Sequence, residues 1–324
     1  MTRAVCLGLA ALGAACSRPV ATARTTAIEP AAAAELEAEV AIAHRACSPS
    51  LGWLLPGAGQ LCLRKSGEGA AILGLAAAEA GTAIAVGLET GDGAHPGVVL
   101  PLTGLQDLWV YGLADAAITG DLAQRKRFAP RDTLADLVAA PLNAEVMKRP
   151  AVWGGLLATL AVGLGASLAL SGGADSDRLG EDPNLFGHQV PGEIGYPLAG
   201  ATAGALFTHV AIAEEALFRG VIQSGLARAA GETGGWLAGS LVFGLAHAPN
   251  ALALEGDERR DYLVYGIPVI TAAGAYLGWL YRESGYSMAP PVALHFWYDF
   301  LLTATLLALE PQDSIFAARI AIPF

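Results

Sequence analysis

Long apolar stretches constrain the fold of this chain more than any other feature of its sequence. An α-helix needs roughly 20 apolar residues to cross a bilayer, and candidate stretches of about that length lie at 69–88, 98–119, 151–172, 198–223, 235–254, 262–282 and 288–310. Only 15% of the 324 residues are charged, whereas soluble domains carry about 25%. The mean hydropathy is also high, at +0.47. The sequence therefore predicts an all-α protein, a polytopic transmembrane helical bundle with about seven to eight spans.

Four regions follow from the distribution of polar residues. Residues 1–16 are signal-like or lipoprotein-like, since a basic residue and an apolar run precede small residues and Cys16. An uncleaved anchor fits this segment equally well. Residues 17–67 contain a predicted polar helix and a Pro-Gly-rich segment, which we expect to bend. N-terminal transmembrane helices are expected over 68–195, and a core that carries the chemistry over 196–310.

The loops between the apolar stretches predict how the chain is oriented. Basic loops face the cytoplasm, which places the loops near 64, 125, 228 and 282 inside and those near 92, 180 and 258 outside. The segment 132–150 is only partly apolar and is expected to lie along the inner interface. Together with the signal-like start, this indicates an integral protein of a bacterial inner (cytoplasmic) membrane, with the lipid bilayer as its permanent partner.

Charge and cysteine content argue against a nucleic-acid-binding protein and against a cysteine-based zinc or redox site. The net charge is −11 and no basic stripe is present, so we expect no nucleic-acid partner. The cysteines are Cys6, Cys16, Cys47 and Cys62. They contain no Cys-x-x-Cys pair, which argues against a zinc finger or a thioredoxin-like site.

Adjacent carboxylates interrupt the fourth apolar stretch, at Glu214 and Glu215. Ionisable residues at membrane depth are costly and usually functional. Arg219 follows Glu215 by four residues and shares its helical face, so these two are expected to form an ion pair. Glu214 lies about 100° further round the helix. We therefore interpret Glu215 as structural and Glu214 as chemical; the alternative is that both are merely paired or reach the inner interface.

Histidines occupy two later apolar stretches. Phe243 and His247 are four residues apart, so the aromatic ring can form a wall beside the imidazole. His295 and Asp299 have the same spacing, which lets the carboxylate orient the imidazole. His209 precedes Glu214 by five positions and is expected to pack away from its face.

A carboxylate beside two histidines supports two chemistries. Glu214 can act as a general base on water while His247 and His295 polarise a carbonyl. Alternatively, Glu214, His247 and His295 can bind a zinc ion that activates the water. We favour no cofactor, because no His-x-x-x-His or His-Glu-x-x-His pair supplies two ligands from one turn.

These residues resemble the motifs of the CPBP family of intramembrane proteases, which includes type II CAAX prenyl endopeptidases and bacterial Abi proteins. Glu214, Glu215 and Arg219 match its first motif, and Phe243 with His247 matches the second. His295 and Asp299 match the last motif, where asparagine is common in place of the aspartate. The resemblance covers about 195–310.

The resemblance implies that Glu214 activates water with help from His247, and that His295 and Asp299 stabilise the oxyanion. Arg219 with Glu215 would position the first helix. The expected partner is a membrane-protein or peptide tail, with prenylated tails or sorting signals of a myxosortase-like kind as candidates. The competing hypothesis is a non-enzymatic transporter or immunity-type membrane protein that uses the Glu/His cluster as a proton relay.

Overall fold

The computed structural model describes residues 49–171 and 178–312. Segment 1–16 and residues 17–48 of the predicted N-terminal region lie outside the described residues. The first half of the described chain contains a 3₁₀ turn (Pro49–Trp53), α1 (Ala58–Cys62), α2 (Ser66–Thr90), α3 (Pro96–Ala123), α4 (Leu134–Ala139), a 3₁₀ turn (Ala140–Leu142), α5 (Ala144–Met147) and α6 (Pro150–Ser171).

The second half contains β1 (Asn184–Leu185), β2 (His188–Gln189), α7 (Gly192–Glu215), a π-helical segment (Ala216–Gln223), α8 (Ser224–Ala246), a 3₁₀ turn (Ala248–Ala253), α9 (Gly256–Asp261), a second π-helical segment (Tyr262–Gly266), α10 (Ile267–Glu283) and α11 (Ala289–Leu309). The two short strands pair antiparallel, with Asn184 opposite Gln189. The architecture is therefore all-α apart from this hairpin.

The predicted helical membrane protein is confirmed. Within the described ranges, Ser66–Thr90, Gly256–Glu283 and Ala289–Leu309 are long and apolar enough to cross a membrane, and Pro150–Ala166 is a shorter apolar helix. Large apolar side chains cover the outside of the bundle, including Leu157 at 65% and Leu245 at 63% exposure. A lipid surround explains such exposure, which water would not favour.

Two predicted stretches differ from the helices. The stretch 198–223 is part of a longer helical run that begins at Gly192 and continues through the π segment into α8. That run breaks at Gly231, where φ is +78°. The stretch 235–254 stays helical only to Ala246, because Pro249 at the start of the next 3₁₀ turn cannot donate a backbone hydrogen bond. His247 therefore lies at the end of α8 rather than inside a span.

The Pro-Gly-rich segment bends, and it packs against α3. Gly57 has φ +83°, and a Cβ there would overlap the Gly69 carbonyl oxygen. Gln60 is fully buried and donates to the Gly112 carbonyl oxygen at 2.7 Å and to Asp115 at 3.0 Å. These buried hydrogen bonds fix the segment to α3.

The segment 132–150 forms two short helices, α4 and α5, that lie beside α11. Asp132 accepts hydrogen bonds from the Ser287 hydroxyl at 2.6 Å and the Met288 backbone N–H at 2.8 Å. Met288 is the residue just before α11. The segment thus holds the beginning of the helix that carries His295 and Asp299.

Candidate active site

The first element of the site is a buried ion pair at the junction of α7 and the π segment. Arg219 Nε lies 3.1 Å from Glu215 Oε2, and both side chains are almost fully buried. The guanidinium group also lies 4.4 Å from the centre of the Phe243 ring, a cation–π contact. Its NH2 group donates to the Gly274 carbonyl oxygen at 3.4 Å. The expected pairing of Glu215 with Arg219 is present in the structure.

Close helix packing brings α8 and α10 to this ion pair. A Cβ on Gly274 would overlap the Phe243 ring, and a Cβ on Gly244 would overlap the Thr271 side chain. Small residues allow such approach between apolar helices. Phe243, which is 0% exposed, is thereby wedged between Arg219 and His247, whose ring centre lies 4.8 Å away.

His295 links the ion pair to the rest of the site. Its Nδ1 atom lies 3.0 Å from Glu215 Oε1, close enough for a hydrogen bond. On the other side of the ring, Nε2 lies 3.4 Å from Asp299 Oδ2 and 4.0 Å from Glu214 Oε2. Because an ionised carboxylate only accepts hydrogen bonds, the Nδ1–H is the donor to Glu215. This contact fixes the orientation of the ring.

Glu214 and His247 face each other across the same space. His247 Nε2 lies 3.8 Å from Glu214 Oε2. The second ring nitrogen of His247, Nδ1, is 2.8 Å from the Phe243 carbonyl oxygen. A carbonyl oxygen only accepts, so Nδ1 carries the proton and Nε2 is the atom presented to Glu214. The carboxylate thus lies between the Nε2 atoms of two histidines.

The three carboxylates differ in accessibility. The side chains of Glu215 and Asp299 are 0% exposed, whereas that of Glu214 is 23% exposed. Its distances to both histidines exceed those of a direct hydrogen bond. The Glu214 side chain is therefore the most accessible of the three and makes no direct hydrogen bond to either histidine, although its Oε2 atom, which faces both imidazoles, is itself inaccessible.

A π-helical segment begins immediately after these glutamates and contains Arg219. Such segments are rare and frequently occur at functional sites. The wider turn changes the direction of side chains that follow Glu215 relative to a regular α-helix. The sequence spacing alone predicted a regular turn here.

The donor geometry bears on the zinc alternative. No group of three or more His, Cys, Asp or Glu side chains in 49–171 and 178–312 is arranged to hold a metal ion. The alternative ligand set of Glu214, His247 and His295 is not such a group in this structure. His295 instead directs Nδ1 to Glu215 and Nε2 towards Asp299.

Sequence reasoning missed two features of this region. The contact between Glu215 and His295 joins motifs 80 residues apart, and nothing in either motif specifies it. Asp107 on α3 is 7% exposed and lies within electrostatic range of Glu214 and His295. An aspartate within the stretch 98–119 is itself a signal, because ionisable residues in apolar helices are rarely neutral to function.

The other histidines occupy different places. His209 was expected only to pack; it is half-buried, with Nδ1 3.5 Å from Glu79 Oε1 on α2. His95 precedes α3 and accepts a hydrogen bond from the Gly97 N–H at 3.0 Å. His188 is exposed in the hairpin.

A comparison with protein-family models identifies one region of the chain. Residues 198–301 match the model described as Type II CAAX prenyl endopeptidase Rce1-like. The matched residues include Glu214, Glu215, Arg219 and the two histidine motifs, so the predicted resemblance to the CPBP family is confirmed over this region. No curated protein and no solved structure gave a significant match.

Proposed function

Since residues 198–301 match the family model described as Type II CAAX prenyl endopeptidase Rce1-like, we propose that this chain is an intramembrane endopeptidase with Glu214 as its water-activating residue. The domain supports CAAX-type endopeptidase activity within the membrane in general. The observation that carries the assignment of the base is the partial exposure of Glu214 between two imidazole Nε2 atoms, 3.8 and 4.0 Å away.

In the proposed reaction, Glu214 removes a proton from a water molecule while the oxygen of that water attacks the carbonyl carbon of the scissile peptide bond. The proton then passes to the leaving amide nitrogen as the C–N bond breaks, so one water molecule is consumed. A positioned carboxylate of this kind typically contributes about 10²–10⁴-fold to the rate. His247 presents Nε2 to the same carboxylate and assists in orienting the water.

His295 and Asp299 are proposed to serve the oxyanion. When both ring nitrogens carry protons, Nδ1–H donates to Glu215 and Nε2–H is available to a developing negative charge. Asp299, 3.4 Å from Nε2, acts as a positioning residue that favours this form of the imidazole. Glu215 and Arg219 hold the ring and the helix junction in place.

We propose that the reaction uses no metal cofactor. The support is the origin of the alternative ligands Glu214, His247 and His295, which come from three separate parts of the chain, so that no single helical turn supplies two of them.

The substrate is proposed to be a membrane-protein or peptide tail. The apolar outer surface of the helical bundle supports a membrane environment for this reaction, which favours a membrane-associated substrate. C-terminal sorting signals of surface proteins, processed in a myxosortase-like way, are the preferred candidates in a bacterial inner membrane, ahead of prenylated tails.

Replacing Glu214 with glutamine tests this function. The amide is nearly isosteric but cannot take up the proton, so Glu214→Gln should lower the cleavage rate by about 10²-fold or more. The readout is mass spectrometry of the C-terminal peptides of membrane proteins from cells that express the parent or the variant.

Glu193→Gln is the matched control, because Glu193 is exposed in the first turn of the same helix. It should cleave like the parent, and both variants should keep the parent's melting temperature in detergent. Cleavage at the parental rate by Glu214→Gln would refute the assigned base. A proton-coupled transport activity lost in Glu214→Gln, with no tail cleaved by the parent, would instead support the proton-relay hypothesis.

A further inference from the structure

A second polar cluster lies inside the bundle, on helices that mostly precede the matched region. It consists of Glu79 on α2, Asp107 on α3 and His209 on α7. The Glu79 carboxylate lies 3.5 Å from His209 Nδ1. It also lies directly against Gly104, where a Cβ would overlap it. Gly104 is one helical turn before Asp107, so Asp107 lies on the side of α3 that approaches Glu79.

Asp107 carries a buried acceptor atom that receives no hydrogen bond from the described residues. The residue is 7% exposed. Its Oδ2 atom is inaccessible to solvent, and it has no hydrogen-bond partner among the described residues. The same holds for Glu79 Oε2. A buried polar atom without a hydrogen-bond partner destabilises the folded state. Two such acceptors in one region point to a small molecule that donates hydrogen bonds to them.

The cluster leads to the proposed base. Asp107 lies within electrostatic range of both Glu79 and Glu214. His209 precedes Glu214 by five residues on α7, about 7.5 Å along the helix axis. Glu214 Oε2 is a further inaccessible acceptor without a hydrogen-bond partner in the described chain. Acceptors therefore follow one another from Glu79 through Asp107 to Glu214.

The end of this series that Glu79 and His209 form is less buried than Asp107. The side chains of Glu79 and His209 are 19% and 25% exposed, whereas Asp107 behind them is buried. Buried water typically makes about three hydrogen bonds to polar groups, and carboxylates and an imidazole provide these from three helices. An apolar molecule would leave all of them unpaired.

We propose that Glu79, Asp107 and His209 hold a file of water molecules that leads between α2, α3 and α7 to Glu214. This inference rests on the proposed function, because it supplies the one water molecule that each hydrolysis consumes. Asp107 is a positioning residue in it: it accepts hydrogen bonds from water one step before the base and does not touch the substrate. The water route would then come largely from helices outside the matched domain.

Cysteine accessibility tests the route without requiring protease activity. Asp107→Cys is introduced into the full chain, reconstituted in lipid vesicles and treated with the aqueous thiol reagent MTSEA, which reacts with water-exposed thiolates. Leu102→Cys is the control, because Leu102 is on the same helix but 47% exposed at the apolar outer surface. The parent corrects for its own cysteines.

The cysteine at position 107 should react at least tenfold faster than the one at position 102. Equal or slower reaction would overturn the water route. The same labelling repeated in the Glu214→Gln background should be unchanged. If Glu214→Gln keeps full cleavage while position 107 still reacts, the proposed base is wrong but the route stands, so the two failures are distinguishable.

Kinetics on a cleaved tail separate a water route from a site for a basic substrate residue. Asp107→Leu should lower kcat at least tenfold with KM unchanged, because the leucine removes the acceptor and blocks the passage. Asp107→Asn should lower kcat only about threefold, since its amide oxygen still accepts a hydrogen bond from water. A rise in KM with unchanged kcat in Asp107→Asn would instead show that Asp107 binds a cationic group of the substrate, and would overturn the proposal.

Discussion

At the scale of single residues, two adjacent glutamates receive opposite environments. Glu215 is fully buried and its oxygens lie near Arg219 and His295, whereas Glu214 is partly exposed and has only longer contacts. One turn of helix geometry accounts for the difference, because neighbouring residues point about 100° apart. Breaking a buried charge pair of the Glu215 kind typically costs about 3–5 kcal/mol, so we assign structure to Glu215 and chemistry to Glu214.

Metal removal belongs to this scale, because the outcome depends on which side chains could act as ligands. We expect tail cleavage by the purified protein to survive exhaustive dialysis against EDTA and 1,10-phenanthroline, since Glu214, His247 and His295 come from three separate parts of the chain and provide no close pair of ligands. Cleavage is measured by mass spectrometry before and after dialysis. Loss of activity that added Zn²⁺ restores would show that the glutamate-only mechanism is wrong.

At the scale of elements, the site is assembled from ends and irregularities of helices. Glu214 and Glu215 stand at the end of α7, where the π segment begins, and His247 directly follows α8. His295 lies two turns into α11, whose first residues are held by Asp132. Positions of helix ends therefore control the distances among the functional groups.

The anchor at the beginning of α11 provides a test. Asp132→Ala removes the acceptor for the Ser287 hydroxyl and the Met288 N–H. Loss of a comparable helix-capping interaction costs about 0.5–2 kcal/mol, and we expect that decrease in the free energy of unfolding together with slower cleavage. Denaturant unfolding in detergent measures it.

Ser287→Ala is the matched control, because it removes one of these two hydrogen bonds and keeps the carboxylate. It should be destabilised less than Asp132→Ala. Parental stability in Asp132→Ala would mean that α11 does not depend on this anchor.

At the scale of the whole molecule, basic residues collect at one end of the bundle. Arg228 lies 2.6 Å from Asp121 at the end of α3 and donates to the Arg127 carbonyl oxygen at 3.3 Å. Arg127 lies over the ring of Phe128, which in turn contacts Tyr286 in the loop after α10. Loops far apart in the sequence thus contribute to one positive end, as the positive-inside rule requires of a cytoplasmic face.

This arrangement predicts the orientation of the protein in the membrane. Gln124→Cys, at the basic end, should react with a membrane-impermeant maleimide only in inverted vesicles. Leu179→Cys, which is 55% exposed before the hairpin, should react in intact spheroplasts. The reverse pattern of labelling would contradict the predicted orientation, and the parent serves as the control for native cysteines.

Hydropathy and the spacing of polar residues along one helix are local properties, and they were enough to predict the helical membrane fold, three of the seven expected spans and the family resemblance. The sequence also determined the Glu215–Arg219 pair, which lies within one helical turn. The contact between Glu215 and His295, by contrast, became known only from the packing of α11 against α7. The tertiary structure alone brought Asp107, Glu79 and His209 together, since contacts among separate helices depend on their packing, which local patterns do not encode.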